Sequence, residues 1–178
     1  YKADDRCLTF NKMDFRRHKM RFDSQSGSTG RVMVARLYPG EDLLTGIGEA
    51  CKKHGIKYGI ITSCIGSLSS VYLKYYYEPK DPVNDPFGSD RDLVSDEPAV
   101  LISGQGLVCE NRDGTMDVHL HAVMRDNKGN VYGSHIPAGG NIAQYTIDVA
   151  VIEVNDMRLM RLWDEETQHF QTKPLPLA

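Results

Sequence analysis

Three of the six histidines stand where they can act together. His119 and His121 lie two residues apart in Asp117-Val118-His119-Leu120-His121-Ala122-Val123-Met124-Arg125. In an extended strand, side chains alternate between faces. Val118, Leu120, Ala122 and Met124 therefore read as the apolar side, and His119 and His121 share the other. A separation of ~6.5–7 Å along a strand suits two ligands of one ion. Whether His135 joins them depends on the intervening turn. Asp126-Asn127-Lys128-Gly129 reads as a type I turn whose glycine takes a positive φ in a G1 bulge. That turn pairs Asp126 with Asn130 and sets His121 opposite His135. A plain four-residue loop would shift the register by one and send His135 to the other face. Three imidazoles on one face offer zinc three nitrogens and leave its fourth position open, the pattern of a catalytic or ligand-binding site. Imidazole also suits nickel and iron, so ligand type alone does not select zinc. The plainer reading is a wet or subunit-contacting strand face. His18, His54 and His169 read as surface or helix-end residues.

Several elements must position these side chains. Residues 1–30 are polar and end in Ser24-Gln25-Ser26-Gly27-Ser28-Thr29-Gly30, a linker by composition. Residues 31–178 form the domain proper. Arg31 to Tyr38 alternates as a strand, Pro39-Gly40 turns, and a helix is predicted from about Glu41 to His54. Its signals are Glu41 and Asp42 in the first turn, Lys52, Lys53 and His54 in the last, and Gly55 beyond the end. Leu43, Ile47, Ala50 and Cys51 share one helical face. Strands are predicted at Tyr58–Cys64, Val71–Tyr77, Ala99–Glu110, Asp117–Arg125, Val131–His135, Gln144–Val154 and Met157–Leu162. Bends fall at Ile65–Leu68 and Pro137–Gly140, and a long loop at 78–98. Gly104 and Gly106 suggest a bulge. The expected class is α/β: a largely antiparallel sheet packed against one main helix.

Net charge is −3 over 178 residues, unevenly placed. Residues 1–31 hold eight Lys/Arg against four Asp, and the remainder carries −7. An acidic main domain argues against stand-alone DNA binding, because phosphate neutralisation supplies most non-specific affinity. Lys12, Arg16, Arg17, Lys19 and Arg21 are the candidate nucleic-acid contacts; a solvated arm is the simpler reading. No apolar run approaches the ~18–20 residues of a membrane span. Four scattered cysteines without a CxxC read as reduced thiols, so a cytoplasmic protein is expected. The chain begins at Tyr1, which leaves open a signal segment removed before it.

Larger pieces then form a pattern: Arg36-Leu37-Tyr38-Pro39-Gly40-Glu41-Asp42, Ile65-Gly66-Ser67-Leu68, Ile102-Ser103-Gly104-Gln105-Gly106, His119-Leu120-His121, Asp126, Gly129, and Gly133-Ser134-His135-Ile136. On these, the chain from about Arg31 to Leu175 resembles the PPC domain, named for plants and prokaryotes. That domain occurs in plant AT-hook nuclear-localised proteins and in small bacterial and archaeal proteins labelled predicted DNA-binding. Ser134 and Ile136 depart from the usual Gly-Gly-His-Leu but leave the histidine in place. Asp164-Glu165-Glu166-Thr167 also fits, with Gln168 where a glycine is usual. The resemblance implies a homotrimer with sites near subunit boundaries, and zinc on the three matched histidines, as in some prokaryotic members. It does not fix an activity. The plant proteins bind DNA through an Arg-Gly-Arg-Pro core, which is absent here.

Three functions follow as expectations. The first is a trimeric zinc-binding regulatory domain with a small-molecule or anion pocket near Arg36, Gly66, Ser67, Glu110 and Asp117. The second is a zinc-dependent hydrolase, for which Glu110, Asp117 and Arg36 are the nearest candidates for acid–base work. The third is a DNA-binding regulator acting through the basic arm.

Overall fold

The structure, a computed structural model, describes residues 20–76 and 90–177. Among them, the chain runs β1 (Thr29–Leu37), α1 (Leu43–His54), β2 (Gly59–Leu68), β3 (Val71–Tyr76), β4 (Asp90–Ser95), β5 (Ala99–Asn111), β6 (Met116–Asp126), β7 (Val131–Ile136), β8 (Ala143–Val154), β9 (Met157–Asp164) and β10 (His169–Pro176). The strands form one sheet in the order β1-β8-β2-β5-β6-β7-β3-β4. A β9–β10 ribbon joins it where β9 runs parallel to β5 at Glu110 and Asn111. Every other pairing is antiparallel. The expected sheet packed against one helix is present. The balance is corrected from α/β to largely β, with ten strands to one helix among the described residues.

The core lies on the sheet face that α1 covers. Leu43, Ile47 and Cys51 of the helix meet Leu37, Ile61, Leu120, Ile147 and Val149 of the sheet, all buried. Leu120, Ala122 and Met124 face this core, as their alternation requires, and His121, Val123 and Arg125 lie exposed on the opposite face. The helix starts later than expected. Asp42 keeps an extended backbone and caps it, its Oδ1 accepting the Thr45 N–H at 3.1 Å. Glu41 thus lies before the first turn rather than in it. The other end closes on Gly55, whose φ of 66° suits the left-handed C-cap.

Other expectations need correcting. Residues 65–68 continue β2 instead of bending, and the irregularity appears as register shifts against β8. Gly66 permits this: a Cβ there would lie 2.2 Å from the Thr146 carbonyl oxygen. The expected loop at 78–98 contains β4, an edge strand whose Asp90-Arg91-Asp92 start hid its pairing with β3. Tyr77 and residues 78–89 lie outside the described residues. β10 was missed because Pro174 and Pro176 argue against a strand; both are tolerated on this edge strand. The β5 bulge sits between Leu101 and Ser103, not at the glycines. Gly106 instead allows close approach, since a Cβ there would sit 1.9 Å from the His119 carbonyl oxygen.

Gly106→Ala is therefore expected to destabilise the fold by about 1–3 kcal/mol, the usual range for overpacking a tight contact. The urea midpoint of the variant against wild type checks it, and an unchanged midpoint would contradict the close approach.

Candidate metal centre

The turn after β6 has the form expected from its sequence. The Asp126 N–H donates to the Asn130 carbonyl (3.0 Å), Gly129 N–H donates to the Asp126 carbonyl (3.2 Å), and Gly129 has a φ of 92°. The Asp126 carboxylate holds the loop shut. Its Oδ1 accepts the Lys128 and Asn130 N–H groups at 2.9 and 2.8 Å, and its Oδ2 accepts the Asn130 amide and the Tyr132 hydroxyl at 2.7 and 2.9 Å. These donors, Asn130 foremost, pull the carboxyl down to about 2. The register follows: Arg125 opposes Val131, and His121 opposes His135.

The three imidazoles converge. Ring centroids of His119 lie 5.0 Å from those of both His121 and His135, and the latter two are 5.3 Å apart. One nitrogen from each falls within 4.8 Å of the others. Burial is graded: His121 is exposed, and His119 and His135 are half-buried. Burial pushes His119 down to about 4, with smaller contributions from the Arg161 charge and the other two histidines. Its ring is therefore neutral near pH 7, the form that ligates metals. Its Nδ1 is buried and has no hydrogen-bond partner among the described residues. The neutral His119 ring, the close grouping of three imidazoles and an orphaned buried nitrogen all fit a divalent ion.

The β9–β10 ribbon encloses one side of this group. Arg161 of β9 pairs through Nε with Asp117 Oδ2 at 3.2 Å and donates through Nη1 to Thr172 at 3.4 Å. Cys109, opposite Asp117, is buried beside the same threonine. A cavity of about 340 Å³ opens beside His119 and His135, and Asp117 and Arg161 line it with Thr45, Gly48 and Lys52 of α1. Arg161 carried no sequence signal, because a parallel contact roughly 50 residues from β5 brings it here.

The other candidates lie elsewhere. Arg36 on β1 donates to Thr146 at 3.1 Å and stacks over Tyr38. The Ser67 hydroxyl accepts the Tyr145 N–H at 3.1 Å, beside Gly66 on β2. Glu110 accepts the Tyr58 hydroxyl and lines a different cavity with Lys57 and Cys109. Of that set, only Asp117 shares the cavity with His119 and His135. Arg21 is engaged by Glu166, its Nη1 and Nη2 lying 3.3 and 2.8 Å from the two carboxylate oxygens. Lys12, Arg16, Arg17, Lys19, Cys7 and His18 lie outside the described residues. Cys51, Cys64 and Cys109 are free, with burial pushing their thiols up to about 11, 12 and 11. No helix is long and apolar enough to cross a membrane among the described residues.

Comparison with known proteins gives the family and the fold. The profile of the Plants and Prokaryotes Conserved (PCC) domain matches residues 24–155. A metal-containing protein from Archaeoglobus fulgidus is 25% identical, with 86% of this chain and 99% of that one covered at a TM-score of 0.70. A plant- and prokaryote-conserved protein from Pyrococcus horikoshii is 26% identical over 88% and 100% of the two chains, also at 0.70. A suspected DNA-binding protein from Ralstonia eutropha, 17% identical with a TM-score of 0.63, shares the fold. The bifunctional protein GlmU of a Synechococcus strain is 26% identical over 148 residues, and the chain spans about a fifth of the length of the curated relatives it matches.

Because Asp126 titrates lower when folded than when unfolded, its clamp contributes fully above the ordinary carboxylate value near pH 4. That contribution falls away as pH drops through about 2. Asp126→Asn should therefore lose stability at pH 6 and lose part of the wild-type pH dependence between 4 and 2. Paired denaturant titrations across that window check this, and identical pH profiles would exclude the clamp.

Proposed function

The chain belongs to the Plants and Prokaryotes Conserved domain family, and from that premise we propose a self-associating domain that binds zinc on His119, His121 and His135 and presents the metal to a small molecule. The observation that carries the reading is the convergence of one nitrogen from each of three imidazoles within 4.8 Å. A zinc ion held by three neutral nitrogens supplies a Lewis-acidic centre with a position open to a ligand. The chain's own residues do the rest. The β6–β7 register fixes the rings, burial keeps His119 unprotonated, and the ribbon limits access from the Asp117 side.

Self-association has its own support. The sheet face opposite α1 is unusually apolar for a solvated surface. Val32 and Val34 of β1 are 68% and 75% exposed, and Ile60, Ile65, Val100, Ile102, Val123 and Val131 join them at the surface. Ladder pairings connect Val32 through Ile152 to Ile60, then to Leu107 and His119, so this surface runs into the histidines. A contiguous apolar patch of this kind marks an interface. Its occupant is a second and third copy of this chain, consistent with the trimer that the family resemblance implies.

Metal content by elemental mass spectrometry tests the first part. Near one zinc per chain is expected in the wild type and a small fraction of that in His121→Ala; no uptake after zinc addition would defeat the reading. Light scattering tests the second. The wild type should weigh three chains, and Val34→Glu combined with Ile60→Glu should shift the mass to one; a monomeric wild type would overturn it.

A further inference from the structure

The cavity beside the histidines holds chemistry that the metal alone leaves unused. Its volume of about 340 Å³ is in the range of small-molecule sites. The charges around it do not balance once a divalent ion is present. Three imidazole ligands bring no negative charge. Asp117 is matched by Arg161 at 3.2 Å, and Glu49 by Lys52 at 2.7 Å, so both ion pairs are neutral overall. The ion's two positive charges are left uncompensated, in a cavity that also holds a guanidinium whose side chain is only 14% exposed. Concentrated positive charge away from bulk water is unfavourable and is relieved by an anion.

Arg161 is built to hold one. Its Nε is committed to Asp117, and Nη1 makes a long bond to Thr172. A guanidinium has five N–H donors in a fixed fork, so donors remain for another oxygen. Lys52 of α1 lines the same cavity. Resting on the metal reading above, we propose that this cavity is an oxyanion subsite: the carboxylate or phosphate group of a small molecule lies between the three-histidine metal position and Arg161. Asp117 is then a positioning residue that aims the guanidinium. The site selects ligands by a terminal oxyanion, and the cavity walls of Gly48, Met116 and Pro137 accommodate the rest of the molecule.

The test uses full-length protein loaded with cobalt(II), whose visible absorption reports its ligands. Cobalt content is measured first, and then inorganic phosphate and acetate are titrated in separate arms. A saturable spectral change with either anion is expected, and the tighter one names the group. Arg161→Gln should keep its cobalt and need roughly 10–100-fold more anion, the usual worth of a charge-assisted hydrogen bond. Because Arg161 also ties Asp117 to Thr172, Arg161→Lys serves as a second variant that keeps the charge and lacks the fork. Broadening of the phosphate phosphorus resonance by wild-type cobalt protein reports proximity with no variant at all. Bound cobalt with no response to either anion overturns the subsite and leaves the metal reading intact. A Gln variant that responds like wild type overturns the role of Arg161. Failure to take up cobalt removes the metal reading and this inference with it.

Discussion

The site depends on one hairpin register. Side chains in a strand alternate faces, so a shift of one residue between β6 and β7 would put His135 in the core and replace it with Ser134 or Ile136 on the outer face. A single loop decides this. Gly129 supplies the left-handed residue, and the Asp126 carboxylate gathers four donors from Lys128, Asn130 and Tyr132. The loop lies at the far end of the hairpin from the histidines, so its rigidity is carried along the ladder by five successive pairings before His121 meets His135. On the other side of β6, Gly106 lets β5 pack tightly behind His119. The convergence of the three imidazoles is a consequence of backbone geometry.

Electrostatics then give the site its character. Burial keeps His119 neutral, which readies it for a cation, and the nearby Arg161 works in the same direction. A guanidinium beside a metal position opposes the metal's charge, unless something negative completes the arrangement. Asp117 offsets the arginine, not the ion. A protein that only stored zinc in a structural role would close the site with a thiolate or carboxylate ligand. Here three imidazoles, a nearby cation and an open cavity stand together, a combination that would favour exchangeable anionic ligands over permanent closure of a bound metal.

On the proposed reading, the outer sheet face would tie the site to assembly. An exposed apolar surface is costly to leave in water, and here it is continuous with the strands that carry His119 and His121. Association through that surface would lower the water content around the exposed His121 and bring symmetry-related sites near one another. In such an assembly metal, ligand and oligomer would be physically linked, since anything that binds the assembled form preferentially also stabilises it.

The histidine pair, the turn that brings in the third histidine and the helix face of Leu43, Ile47 and Cys51 were all legible in the sequence, because each rests on local rules of alternation, turn chemistry and helical spacing. The same rules erred where tertiary contacts override them. Polar Asp90-Arg91-Asp92 pairs at an edge, Pro174 and Pro176 sit in a strand that tolerates them, and Asp42 caps the helix it was expected to begin. Sequence pattern also spread the expected ligand pocket over Arg36, Gly66 and Ser67, which the sheet order separates from the histidines, and Glu110, which lines a different cavity. What only the tertiary structure decided is the company the histidines keep. The β9–β10 ribbon returns against β5, and Arg161, Asp117 and the first turns of α1 come to share one cavity. Those contacts join residues far apart in the chain, and no short-range pattern encodes the distance at which they meet.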